Sequence, residues 1–355
     1  MIKKKLKIAI IGCGRVSDHY FKILNSNKIK KCQVVAVCDI KIKKTSKFKN
    51  NFDCFTFESI EKMLKNVKID IVFLLTPSGL HYEHAKKILN SGNNLLLEKP
   101  PALLPNQILE LHKIAIQKKL FVTVAYQNRL NPAMLALKEA INKKRFGKIV
   151  TSTIRLRWCR YNEYYSDEWH GKWKMDGGVL NQQAIHHLDG LNWLVGPFKK
   201  VSSKSTKRLN KLEAEDTIVG ILENIDGSLS TIEATSAARP KDIEASISII
   251  GEKGFAEIGG IALNQIKKWE FVKKIRSDKF VKNKFSQNVP SGYGLSHITL
   301  INNIVEKFLN KKFIKFTTLK DTINTCNLVH AMYKSSEEGK WINISKNNLS
   351  KKLGK

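Results

Sequence analysis

Directly after the apolar stretch Leu6–Ile11 stands Gly12-Cys13-Gly14-Arg15-Val16-Ser17, a Gly-x-Gly-x-x-Ser run. Such a run serves phosphate binding. Its first glycine permits a tight turn, the second lets a pyrophosphate approach the backbone, and the charge then sits at the N-terminus of the following helix. Asp39 closes the second apolar stretch, 22 residues after Ser17. There a carboxylate can accept both ribose hydroxyls and repel a 2′-phosphate. The pattern predicts a dinucleotide site formed by Gly12, Gly14, Arg15, Val16 and Asp39, with NAD preferred although Lys41, Lys43 and Lys44 follow closely.

Two further apolar stretches end in polar groups, Thr76-Pro77-Ser78-Gly79-Leu80-His81 and Glu98-Lys99-Pro100. In open parallel sheets the carboxyl ends of strands face the ligand crevice, which adds Thr76, His81 and Glu98 to the cofactor candidates and makes Lys99 a candidate for work on a reacting oxygen. Spacing alone leaves Lys99 one lysine among 53. His186 and His187 are adjacent on a predicted helix, so they point about 100° apart and cannot both face one pocket. His186 is preferred because Asp189, three residues on, shares its face and can orient the imidazole.

Five of the nine arginines (129, 145, 155, 157 and 160) fall within 32 positions. In a lysine-rich chain this points to planar, bidentate recognition of an anion, against the plainer reading of exposed strand charges. Arg129, Arg157 and Arg160 are the substrate candidates. Tyr161, Tyr164, Tyr165, Trp169 and Trp173 could stack on a base or sugar, or simply form a packed aromatic cluster; Tyr164 is the substrate candidate among them. Asn181 and Gln182, one turn before His186, could place amides beside substrate hydroxyls.

Positioning these groups takes two domains. Strands are predicted over 6–11, 34–39, 70–75, 94–98 and 121–125, alternating with helices near 18–24, 59–64, 83–89 and 106–117, which is the pattern of a parallel Rossmann sheet. Pro132 suits the first turn of a helix reaching Asn142. Beyond Gly147 the runs 149–158, 216–223, 228–235 and 245–250 alternate apolar with polar, and Asp226-Gly227 and Gly251–Gly254 read as turns between them. Helices are expected over 177–195, 300–309 and 319–335, and the basic tail from Lys346 reads as frayed. The expected fold is α/β: a Rossmann NAD-binding domain over 1–126, then an α+β domain over 127–355 with a largely antiparallel open sheet for substrate binding and oligomerisation. The chain's last strand or helix has the option of packing back on the first domain.

The 355 residues carry a net charge of +31. The lysines are scattered instead of forming one stripe, so the charge reads as a bias of solvated faces and predicts no specific nucleic-acid partner. No apolar run approaches the ~20 residues that cross a bilayer, so no membrane association is expected. Met1–Lys5 followed by Ile8–Cys13 imitates a leader, but its apolar core is short and cleavage there would destroy the glycine run. Six scattered cysteines give neither a disulfide framework nor zinc spacing. A reducing cytoplasm and no metal are expected.

The glycine run, Thr-Pro-x-x-x-His, Glu98-Lys99-Pro100 and His186-His187-Leu188-Asp189 together resemble the Gfo/Idh/MocA oxidoreductases over nearly the whole chain. The resemblance implies that Lys99 and His186 flank the oxidised carbon, with Asp189 beside them. A finer resemblance, to the UDP-N-acetylglucosaminuronate 3-dehydrogenases, rests on Tyr126-Gln127-Asn128-Arg129-Leu130-Asn131-Pro132, Arg155–Arg160, Trp169-His170-Gly171-Lys172-Trp173, Asp176–Leu180 and Ala237-Ala238-Arg239-Pro240. It places Gln127 with the cofactor and implies oxidation of a UDP-sugar at C3 for surface polysaccharide precursors. It also implies a homotetramer joined through the open faces of its antiparallel sheets. His170 with Lys172, and Gln182, depart from the relatives' pattern and bear on substrate choice. An inositol or hexose dehydrogenase would not need the arginine cluster, and a non-catalytic Rossmann protein would need neither Lys99 nor His186.

Overall fold

A computed structural model describes residues 5–26 and 28–355. Met1–Lys4, most of the basic opening of the leader-like segment, lie outside the described residues. The chain divides into two compact units, residues 1–126 with 296–323 and residues 127–295 with 324–355.

In the first unit β1 (Leu6–Ile11), β2 (Cys32–Cys38), β3 (Phe55–Phe57), β4 (Ile71–Leu74), β5 (Asn94–Leu97) and β6 (Val122–Val124) form a six-stranded sheet in the order β3-β2-β1-β4-β5-β6. Every pairing is parallel. Helices on both faces explain why β1 and β4 are nearly continuous apolar runs with almost no exposed side chain. These helices are α1 (Arg15–Leu24), α2 (Ser46–Phe52), α3 (Ile60–Asn66), α4 (His81–Asn90) and α5 (Pro105–Gln117). The short elements α2 and β3 carry too few periodic residues to be legible in the sequence.

The second unit contains α6 (Pro132–Asn142), β7 (Ile149–Arg157), α7 (Val179–Gln182), α8 (Ile185–Val195), β8 (Phe198–Thr206), β9 (Thr217–Asn224), β10 (Leu229–Thr235), β11 (Glu244–Gly251), β12 (Gly254–Gly259), β13 (Gln265–Phe271) and α9 (Val281–Phe285). Its sheet runs β13-β12-β11-β7-β10-β9-β8-β14, where β14 is Ile342–Asn343. Only β7 with β10 is parallel. On β7, Ser152, Ile154 and Leu156 are buried beneath α8, while Thr153, Arg155 and Arg157 lie on the open face.

The expected helix 177–195 is two helices. Gly177 is left-handed at φ +67°, α7 starts at Val179, and the chain turns again at Gln183-Ala184 before α8. Strands β8, β12 and β13 were not legible either. β8 is mostly Lys, Ser and Thr and owes its pairing to β9.

After the second sheet the chain returns to the first unit, which takes in residues 296–323 of the expected second domain 127–355. α10 (Ser296–Asn310) packs on α1 and β1. Thr317 O then accepts from Val124 N at 2.9 Å along the β6 edge. The returning stretch, 296–323, reaches into the first residues of the chain's last helix, while the last strand stays in the second unit. α11 (Leu319–Glu338) begins in the first unit and continues in the second, and β14 pairs with β8. The tail is not frayed. Leu353 is buried, Gly354 N donates to Trp173 O at 2.9 Å, and Ser350 Oγ donates to Glu337 at 2.6 Å.

Candidate active site

The first unit supplies a dinucleotide cradle. Gly12 has φ +92°, and a Cβ there would lie 2.7 Å from the Leu75 carbonyl carbon, whereas one on Gly14 would meet nothing within 4 Å. Gly12 is thus required by the turn, and Gly14 borders open space suited to a phosphate. Behind the loop, Ser17 is fully buried and its hydroxyl donates to Gly14 O. Asp39 is tied to the same loop: Oδ2 accepts from Cys13 N and Oδ1 from Lys41 N, each at 2.8 Å. Arg15 is exposed and Val16 half-buried on the first turn of α1. These residues fit NAD.

His81 does not offer a ring nitrogen to a cofactor. Nδ1 lies 2.6 Å from Pro100 O and Nε2 2.7 Å from Thr76 O, with the ring 1% exposed. It ties together the two strand-end loops. Burial lowers its pKa while the two carbonyls act to raise it. Thr76 is half-buried and its Oγ1 lies 3.1 Å from His84 Nδ1. Glu98 is likewise turned inward: its carboxylate accepts from Tyr20 Oη at 2.8 Å and from Lys99 N at 3.1 Å. Burial opposes its ionisation, but His297, Lys99 and the Tyr20 hydroxyl outweigh this and hold the carboxyl at about 2. Lys99 itself is half-exposed just beyond β5.

The second unit carries the histidine pair. His187 is 1% exposed, neither ring nitrogen has a partner among the described residues, and burial pushes its pKa down to about 3. Its ring lies edge-on to Trp158. His186 is half-exposed. Of the two, His187 is a neutral core residue and His186 is the more exposed.

Two of the three arginine candidates are committed to other partners. Arg129 forms a fork to Asp189, Nε to Oδ2 and Nη2 to Oδ1 at 2.7 Å each, and Thr325 Oγ1 adds a third bond at 3.1 Å. The guanidinium that was expected on substrate braces the helix carrying His186. Arg157 lies on the open sheet face, bound to Glu233 at 2.6 and 2.8 Å and to Glu244 at 3.3 Å. Strand alternation turned it away from the face that α8 covers. Arg160 remains beside aromatic rings, 5.0 Å from Trp158 and 5.5 Å from Tyr164, with one bond to Asp242.

Asn181 is buried and its amide donates to Asp176 O at 2.8 Å, which secures the turn into α7. Gln182 and Tyr164 are half-buried. Gln127 is 3% exposed, and its Oε1 has no partner among the described residues. Lys172, Lys207 and Lys211 line a cleft with Tyr165, His170 and Asn210. Sequence reasoning missed Tyr20, Thr325 and the use made of His297. None lies in a motif, and only the packing of α1, α11 and α10 reveals them.

Residues 6–126 match the oxidoreductase family model for the NAD-binding Rossmann fold, and residues 138–344 match that of its C-terminal α/β domain. The chain belongs to the Gfo/Idh/MocA oxidoreductase family. It is an NAD-dependent oxidoreductase. Among solved structures it is similar to the WlbA dehydrogenase of Chromobacterium violaceum in complex with NADH and UDP-GlcNAcA, at 32% identity and TM-score 0.89 over 97% of both chains. The WlbA dehydrogenase of Bordetella pertussis, with the same two ligands, is 29% identical at TM-score 0.88, covering 97% of this chain and 99% of that one. The D-glucoside 3-dehydrogenase of Escherichia coli is 27% identical over 73% of this chain and 78% of its own length. Among the described residues no helix is long and apolar enough to cross a membrane.

Proposed function

We propose that this oxidoreductase oxidises the C3 hydroxyl of UDP-N-acetylglucosaminuronic acid to the ketone, as a cytoplasmic step toward surface polysaccharide precursors. The observation carrying this reading is the similarity, over 97% of the chain, to two dehydrogenases in complex with NADH and UDP-GlcNAcA. NAD, when bound, supplies the hydride acceptor. His186 accepts the hydroxyl proton as general base, and Lys99 donates a hydrogen bond to the oxygen as negative charge develops there. Arg129 holds Asp189 in place on the helix that carries His186. Arg160 and the lysine-lined cleft provide cationic surface for an acidic sugar nucleotide, Tyr164 an aromatic ring and Gln182 an amide for its hydroxyls.

NADH production is measured with the uronate, UDP-N-acetylglucosamine, myo-inositol and glucose, adding 2-oxoglutarate if bound cofactor must be reoxidised. Loss of a buried charge partner commonly costs ~2–5 kcal/mol, so the uronate should exceed the uncharged sugar nucleotide by at least about tenfold in kcat/KM. Preference for inositol or glucose refutes the nucleotide-sugar reading and leaves the dehydrogenase.

The assembly belongs to the same reading: a homotetramer joined through the open sheet face. Val219, Ile221, Leu229 and Ile250 lie exposed there, and a sheet face carrying such residues favours burial against a second copy. Light scattering should give four copies; a monomer at micromolar concentration refutes it.

A further inference from the structure

A buried chain of polar side chains in the first unit ends on the backbone of Lys99. Glu98 is 6% exposed. Its Oε2 accepts the Lys99 amide at 3.1 Å, and its Oε1 accepts the Tyr20 hydroxyl at 2.8 Å and lies 3.6 Å from His297 Nε2. Tyr20 and His297 are both fully enclosed, with their rings edge-on at 5.3 Å. The three side chains come from α1, the residue after β5 and the first turn of α10. On the other side of Lys99, the Pro100 carbonyl is held by His81 at 2.6 Å.

Burying a carboxylate costs several kcal/mol even when it is paired, and an apolar pair of the same volume would fill this space without that cost. The first unit therefore retains a charge its core does not need. That charge bonds the one peptide group from which the Lys99 side chain starts. Lysine has a long flexible stem, so the placement of its ammonium depends on how firmly its backbone is held.

We propose that Tyr20 and His297 are positioning residues for Lys99: together they lock the Glu98 carboxylate, and Glu98 fixes the Lys99 backbone amide. The inference rests on the reading of Lys99 as an active-site group. It assigns a purpose to the return of α10 to the first unit, because this return brings His297 to Glu98.

The test uses the full chain with NAD and UDP-N-acetylglucosaminuronic acid. Tyr20→Phe removes one hydroxyl and keeps the ring; His297→Leu removes the polar edge; His297→Gln keeps an amide able to bond Glu98. Displacing a reacting group by about 1 Å can cost ~100-fold, and a loosened support should cost on the order of tenfold. Tyr20→Phe and His297→Leu should each lower kcat by about that factor, with the sugar KM and NAD affinity within about twofold of wild type, and His297→Gln should recover part of the loss. Deuterium exchange at the Lys99 amide should quicken in both damaged variants. In a Glu98→Gln background neither change should lower kcat further, because all act through one carboxylate.

Wild-type kcat in both Tyr20→Phe and His297→Leu, or losses that multiply with that of Glu98→Gln, would overturn the proposal. So would losses matched by falling NAD affinity and melting temperature, which mark a purely structural role. Lys99→Met separates the two readings. If it keeps full kcat, Lys99 is not an active-site group, while the exchange measurement still decides whether Tyr20 and His297 lock its amide.

Discussion

Replacing Arg129 by leucine should damage the second unit through Asp189, not through the substrate. Asp189 is 1% exposed and the guanidinium 12%, and they meet in a two-bond fork at 2.7 Å. Two unit charges at about 4 Å attract by ~4 kcal/mol at an effective dielectric of about 20. Removing one partner of a buried pair leaves the other uncompensated, for which ~3–5 kcal/mol is expected, since the single bond from Thr325 cannot replace the fork. For a unit of this size each kcal/mol lowers the melting temperature by about 2–4 °C, so the transition should fall by roughly 6–20 °C. The double variant Arg129→Leu/Asp189→Leu removes both charges and should be more stable than Arg129→Leu alone. Calorimetry on the three proteins, with steady-state kinetics on the uronate and on UDP-N-acetylglucosamine, provides the check. A melting temperature unchanged within about 2 °C, together with a steep rise in KM for the uronate only, would show that the guanidinium serves the substrate and that the structural reasoning is wrong.

Three other outcomes are expected. NAD should bind at least about tenfold more tightly than NADP, because Asp39 repels a 2′-phosphate and a lost ribose bond adds to this; fluorescence titration giving equal affinities would mean the lysines after Asp39 prevail. His186→Asn and Lys99→Met should each lower kcat by ~100-fold or more with NAD affinity nearly unchanged, whereas His187→Asn should be far milder in kcat; the opposite ranking of the histidines would reverse their assignment. Glu215 is 3% exposed, and burial raises its carboxyl to about 7 although Leu180 N and Tyr333 Oη donate to it. The unfolded chain loses this proton near 4.5 and the folded chain near 7, so the native state binds more protons in that window and stability falls as pH rises through it. Glu215→Gln should abolish that slope and gain up to ~3 kcal/mol above pH 7; a difference from wild type that stays constant between pH 4 and 8 in denaturant titrations would refute the assignment.

Local patterns determined much of this protein. The glycine run, the carboxylate of Asp39 and the strand-end motifs were legible because they depend on residues close in sequence. A tight turn needs glycine at its own position, and a parallel strand covered on both faces must be apolar along its length. For the same reason five of the six Rossmann strands were placed within a residue or two, the short β3 excepted, and Pro132 located the start of α6. Helical geometry separates His186 from His187 and puts His186 on the face of Asp189; that His187 is buried is known only from the tertiary structure.

Which partner each charge takes was decided only by tertiary structure. Arg129 and Asp189 are 60 residues apart, Arg157 and Glu233 76, and no local spacing records that those carboxylates lie within reach. Clustered arginines looked like one anion site, but strand alternation and helix packing turned two of them toward protein carboxylates. A buried or half-buried guanidinium is paid for most readily by the nearest fixed negative charge. The return of α10, which brings His297 to Glu98 across nearly 200 positions, is likewise absent from any window of sequence. It follows from where the first unit leaves apolar surface on α1 and β1 for a helix to cover.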